Sequence, residues 1–148
     1  MKSPEELYDL LQQNGVAVYQ GELGQIPAVT IEMGGEYAVF LNPDCLCNSA
    51  QESDILAHEI GHIMTGSTHP VDSPAYLVEQ HEARAERCAI RLMIPWQHLK
   101  EAVAAGKNTP WDLAEYFNVS EDMIHKALSY YALRGYHLPS GQDGPQVS

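Results

Sequence analysis

The chain has 148 residues, 45% hydrophobic and 19% charged, a balance that suits one folded domain with its own core and excludes a disordered chain. Its formal net charge of -12 and pI near 4.8 weigh against nucleic acid, whose phosphates are met by Lys and Arg, and favour a basic partner. No apolar run approaches the roughly 20 residues of a membrane helix, and the start MKSPEELYDLLQQNG lacks a signal peptide's apolar centre and cleavage site, so a cytoplasmic location without membrane contact is expected.

Ser3, Pro4 and Glu6 supply an N-cap, a first-turn proline and a capping-box glutamate, which predicts a helix from Pro4 to about Gln13 burying Leu7, Leu10 and Leu11. Asn14-Gly15 ends it. VAVYQ then reads as a short strand, and AVTIEM and EYAVFL as two more, joined by Gly34-Gly35 in a tight hairpin; together they predict a small antiparallel sheet. Cys45, Cys47 and Cys88 are an odd number without the spacing of a disulfide framework, so reduced thiols are expected; Cys45 and Cys47 lie closer than a zinc C-x-x-C pair and no second pair follows.

After Asn42-Pro43 the pattern becomes helical. Ser49 with Glu52 forms a further capping-box pattern, opening a helix to about Met64; Gly66 to Ser73 reads as a loop; Pro74 starts a second long helix that Pro95 ends. Thr109 caps a helix at Pro110, and Ser120 caps another near Glu121. The tail from residue 137 to 148, ending PSGQDGPQVS, is expected to be disordered. The chain is therefore expected to be α+β: a single domain over 1–136, with a helix and small sheet over 3–42, paired helices over 49–95 and C-terminal helices over 96–136.

The first long helix carries H-E-I-G-H at residues 58–62. Residues four apart on a helix lie on one face, so His58 and His62 can aim two imidazoles at one point, while Glu59, rotated by about 100°, can stand beside them as a base. Zinc accepts neutral imidazole and carboxylate ligands in four-coordinate sites, and a catalytic zinc keeps one position for water, so a third protein ligand is required. The second helix offers one. Its apolar stripe runs Val78, Ala85, Ala89 and Leu92, and Glu82 lies inside that stripe, opposite a solvated face of Gln80, Arg84, Arg87 and Arg91. A carboxylate on a buried face needs a partner or a metal. Glu86, one turn on, can accept the outer N–H of a ligating histidine; the competing reading is a salt bridge from Glu82 or Glu86 to Arg87, Arg91 or another helix.

The runs ILAHEIGHIM, EARAERCAIRLMIP and LAEYFNVSEDMIHKAL resemble the ImmA/IrrE-type metallopeptidases, whose zinc arrangement is similar to that of the gluzincins. The resemblance covers residues from about 40 to 130 and extends more loosely to the preceding strands. It implies that His58, His62 and Glu82 hold Zn2+ and that Glu59 is the base, with Ala85 at the small position of the family's E-x-x-A-(D/N) motif. Glu86 replaces the family's Asp or Asn, and Cys88 stands where an aromatic residue is common.

The activity so implied is that of a zinc-dependent endopeptidase acting on a specific, basic helix-turn-helix repressor, since similar proteins are encoded beside such repressors in mobile elements or stress-response loci. Two other classes stay open: a zinc-containing protein that inactivates its partner by sequestration, and a non-proteolytic zinc hydrolase. A donor for the oxyanion is also left open among His69, Tyr76, His81, Tyr130 and Tyr131. DLAEYFNVSEDMIHKAL has a helix-turn-helix pattern of its own, but Asp112, Glu115, Glu121 and Asp122 outnumber Lys126 across it, which favours packing or substrate docking over DNA.

Overall fold

A computed structural model describes residues 2–66 and 73–138. The order of elements is α1 (Pro4–Gln13), β1 (Ala17–Gln20), β2 (Ala28–Met33), β3 (Glu36–Leu41), a 3-10 turn (Pro43–Cys45), α2 (Ser49–Thr65), α3 (Ala75–Met93), α4 (Trp96–Ala104), α5 (Pro110–Phe117) and α6 (Glu121–Leu133). This is the expected α+β class. The expected loop at 66–73 and tail at 137–148 fall largely outside the described residues.

Local chemistry accounts for the ends of the elements. Ser3 Oγ accepts the Glu6 N–H with Pro4 in the first turn, and the Thr109 and Ser120 side chains accept from Asp112 and Met123. At α2 the cap is one residue earlier than Ser49: Asn48 Oδ1 accepts the Gln51 N–H at 2.8 Å, and Gln51 Oε1 accepts the Cys47 N–H at 3.0 Å. Glu52, freed from that duty, accepts the Tyr8 hydroxyl at 2.6 Å and ties α1 to α2.

The sheet differs from expectation in one respect. Its order is β1-β3-β2, with β2 and β3 antiparallel across the hairpin but β1 parallel to β3. The connection from Gly21 to Pro27 carries the chain past β3 rather than turning back beside β1, so β1 occupies the far edge of β3. Gly34 and Gly35 have φ of 60° and 84°, the two positive values a two-residue hairpin turn of the primed type requires.

Val39 and Leu41 of β3 join Leu7 and Leu11 of α1, Leu56 and Ile60 of α2, and Ile90 and Met93 of α3 in one core, which continues through Leu99, Leu113, Phe117 and Ile124. The helix-turn-helix-like segment is anchored to α2. Asn118, in the left-handed region at φ 55°, closes α5, and its Nδ2 donates to Ser49 Oγ at 3.1 Å and Ser53 Oγ at 3.3 Å. Asp54 accepts the Ser120 N–H at 3.2 Å, and burial of that carboxyl pushes its pKa up. From the other side, Arg91 of α3 donates to the Tyr130 hydroxyl at 3.0 Å, and the Tyr131 hydroxyl donates to the Ile94 carbonyl at 2.7 Å. The α5–α6 unit thus braces α2 and α3 together.

Asn118 serves the brace twice, by its backbone angle and by its amide. Asn118→Ala is expected to cost about 1–3 kcal/mol in urea unfolding, because alanine resists the left-handed angle and deletes both side-chain bonds. Asn118→Gly, which keeps the angle and loses the bonds, should fall between alanine and wild type; equality with wild type would show that the amide contributes nothing.

Candidate metal centre

On α2, His58 and His62 present their Nε2 atoms 3.2 Å apart, with the rings edge to face. Glu82 of α3 meets both: Oε2 lies 2.6 Å from His58 Nε2 and Oε1 lies 3.1 Å from His62 Nε2. These three side chains are the group of metal-ligand type found among the described residues, with ligand atoms within 4.8 Å of one another. Among the described residues Cys45 and Cys47 join no such cluster, and Cys45 Sγ accepts from Asn42 Nδ2.

The donor set fits zinc. Zinc–ligand distances of about 2.0–2.1 Å in a tetrahedron put neighbouring donors roughly 3.3 Å apart. The 3.2 Å separation of the two imidazole nitrogens matches that edge; Glu82 offers one oxygen to each histidine, at 2.6 and 3.1 Å, and the shorter contact opens by about 0.7 Å to reach the same spacing. The hydrogen bonds from His58 and then His62 hold the Glu82 carboxyl well below the usual carboxylate range, against the opposing effect of partial burial, so the group is an anion ready to meet a cation.

Exposure corrects one step of the sequence argument. Glu82 was expected on a buried stripe, yet its side chain is 46% exposed, whereas that of His62 is 8% exposed. The carboxylate stands at the rim of α3, and the two imidazoles, rather than desolvation, set its position. Ala85 and Ala89 do occupy the buried face as the stripe implied.

The helices approach closely enough for this because of one glycine. A Cβ placed on Gly61 would lie 2.2 Å from the Ala85 carbonyl oxygen and 2.9 Å from its carbonyl carbon, both backbone atoms that cannot swing aside. Gly61 precedes His62, and Ala85 follows Glu82 by less than one turn. The contact therefore sets the gap across which the imidazoles and the carboxylate meet.

Glu59 is buried beside His58, and its Oε2 accepts the Thr30 hydroxyl of β2 at 2.6 Å. A cavity of about 210 Å³ opens here, lined in part by Ile55, His58, Glu59, Glu86, Met123 and Lys126. Glu86 does not reach either imidazole. Its Oε1 is 2.9 Å from Lys126 Nζ of α6, which also lies 3.2 Å from Asp122 and whose pKa is raised chiefly by the Glu86 bond. A position one turn past Glu82 rises about 6 Å along α3, and there α6 supplies a cation; the salt bridge to another helix is the reading that holds. Of the candidate oxyanion donors, Tyr130 and Tyr131 are engaged with Arg91 and Ile94, Tyr76 is exposed, and His69 lies outside the described residues.

Thr30, Gly61 and Lys126 are the site residues that sequence reasoning passed over. The signal for Thr30 was available in principle: AVTIEM puts Ala28, Thr30 and Glu32 on one face of the strand and Val29, Ile31 and Met33 on the other, and the more polar face is the one turned to α2.

The Peptidase_M78 family model, described as the IrrE N-terminal-like domain, matches residues 29–129, a span that holds His58, Glu59, His62 and Glu82. Comparison with curated proteins and with solved structures finds no match.

Gly61→Ala forces α2 and α3 apart by roughly 1 Å, an overpacking expected to cost about 1–3 kcal/mol or somewhat more. Thermal melts and elemental analysis should show both a lower Tm and weakened zinc retention. A variant with wild-type stability and metal content would remove Gly61 from the account of the site.

Proposed function

The chain belongs to the IrrE N-terminal-like Peptidase_M78 family, whose model spans 29–129, and on that premise we propose that it is a zinc-dependent endopeptidase. Membership supports a zinc metallopeptidase-like function. The observation that carries this reading is the convergence of His58, His62 and Glu82 on one point, with Glu59 lining the same cavity as His58.

In this reading His58 and His62 of α2 and Glu82 of α3 hold the metal. Zinc bound there would supply Lewis-acid chemistry, lowering the pKa of water toward about 7 and polarising a carbonyl. Glu59 takes the proton from the attacking water and returns it to the departing amine, so one carboxylate acts as base and then as acid. Buried position and a single anchored oxygen keep that carboxylate from wandering between the two steps.

The substrate in this reading is a protein, and we favour a basic helix-turn-helix repressor in the cytoplasm. Support comes from the net charge of -12, which attracts a partner of opposite sign, and from the resemblance of HEIGH and EARAERCAIRLMIP to repressor-directed peptidases. No helix of the described residues is long and apolar enough to cross a membrane. The α5–α6 segment serves as a brace, its turn bonded to α2 through Asn118 and Ser120, and no nucleic-acid contact is assigned to it.

Glu59→Gln should retain one zinc per chain by elemental analysis and lose cleavage by about 10²–10⁴-fold, the usual contribution of a positioned acid–base group. Retention of both metal and full activity would remove Glu59 from the role of base. A partner bound by wild type and variant alike, with no cleaved product from either, would replace proteolysis by sequestration.

Charge steering has a separate signature. Raising salt from about 50 to 500 mM should lower kcat/KM for a basic repressor several-fold by slowing encounter, with little change in kcat. Insensitivity of kcat/KM to salt would show that recognition does not depend on the acidic surface.

A further inference from the structure

The hydrogen bond from Thr30 to Glu59 joins the sheet to the chemistry, and neither the paired helices nor the zinc ligands account for it. Thr30 lies in the middle of β2, opposite Val39 of β3, and among the described residues β2 is an edge strand of the sheet. Its two outward neighbours, Val29 and Ile31, are 36% and 41% exposed, although simple burial of apolar residues would have turned them inward. The register instead sends a hydroxyl to α2. Packing of Ala28 against the core on the same face of the strand and the β2–β3 pairing from Ala28↔Leu41 to Met33↔Glu36 hold that register.

The two oxygens of Glu59 are thereby made unequal. Oε2 accepts the Thr30 hydroxyl at 2.6 Å, a short bond of the charge-assisted kind. Among the described residues Oε1 has no protein partner, and none of their buried side-chain N or O atoms lacks one, so Oε1 is in contact with solvent at the cavity that Glu59 lines. A free glutamate side chain exchanges its oxygens by rotation about its last torsion, which is broad and roughly two-fold. Anchoring one oxygen removes that freedom and leaves a single, solvent-facing lone-pair set for proton transfer.

We propose that Thr30 is a positioning residue for the reaction: its hydroxyl pins Oε2 of Glu59 so that Oε1 stays directed at the water to be deprotonated. The inference rests on Glu59 being the base of a peptidase. It makes the sheet edge part of the catalytic apparatus, acting through Glu59 without touching the reacting atoms.

The test uses the full-length, zinc-loaded protein with Thr30→Val, which keeps the shape and removes the hydroxyl, and Thr30→Ser, which restores it. Kinetics are measured on the best-cleaved sequence from a quenched fluorescent peptide library. T30V should lower kcat about ten- to a hundredfold, the range for partners that orient a catalytic group, with KM within about twofold and one zinc retained per chain; T30S should recover to within a few-fold of wild type. A loss of zinc or a rise in KM with kcat unchanged would mark a merely structural role and overturn the proposal, as would wild-type kcat in T30V.

A second readout does not need turnover. With selective 13C labelling, the Glu59 side-chain carboxyl resonance at fixed pH should move in T30V and return in T30S, because the hydrogen bond to that carboxylate is lost and regained. An unmoved resonance overturns the proposal. A wild-type protein that binds zinc yet cleaves no peptide would sink the peptidase reading by itself, and the resonance would still decide whether Thr30 holds Glu59.

Discussion

The absence of a side chain at Gly61 is the constraint on which the rest of the site depends. Ala85 presents its backbone carbonyl where a Cβ would stand, so α2 and α3 pack at a distance that most residue pairs forbid. Two imidazoles from one helix can be aligned by spacing alone, but a carboxylate from a second helix reaches them only if the backbones are this close. Glu82 is a side chain of ordinary length, and both of its oxygens lie within hydrogen-bond reach of His58 and His62. The glycine inside HEIGH is therefore as much a part of the centre as the residues that flank it.

Close packing of two helices needs something to hold them at that distance, and the remaining elements supply it from three sides. Tyr8 of α1 bonds Glu52 near the start of α2. The α5–α6 turn bonds the same end of α2 through Asn118 and Asp54, and α6 reaches across to α3 through Lys126–Glu86 and Arg91–Tyr130. On the third side β2 contributes Thr30 to Glu59. A segment with the pattern of a DNA-binding motif here spends its turn residues and one of its few cations on intramolecular contacts, which explains why it can be so acidic.

Much of this was legible in the sequence because it is local. Helix caps, the Gly34-Gly35 hairpin and the four-residue spacing of His58 and His62 each follow from a few neighbouring residues, and the elements appear within a residue or two of where those signals put them. Asn48 rather than Ser49 caps α2 because both have acceptor side chains and only the backbone geometry chooses between them. The parallel seat of β1, the pairing of Glu86 with Lys126 and the reach of Thr30 to Glu59 are tertiary: each joins segments whose relative placement no local pattern specifies. Gly61 is the intermediate case. Its small size was visible between the histidines, but the carbonyl it accommodates belongs to a residue on another helix.

The inverted face of β2 ties these points together. Burial of apolar area normally decides which way a strand faces, at about 25 cal/mol per Å², and by that measure Val29, Ile31 and Met33 belong inside. The opposite arrangement turns Thr30 toward α2, where its hydroxyl donates to the buried Glu59 carboxylate. Turning the valine and isoleucine inward would leave a buried carboxylate without its hydroxyl, a penalty that scales with charge rather than area. With the pairing to β3 and the packing of Ala28 holding the register, that hydrogen bond gives the inner face of the strand its polar partner, and the apolar residues of the outer face stay exposed.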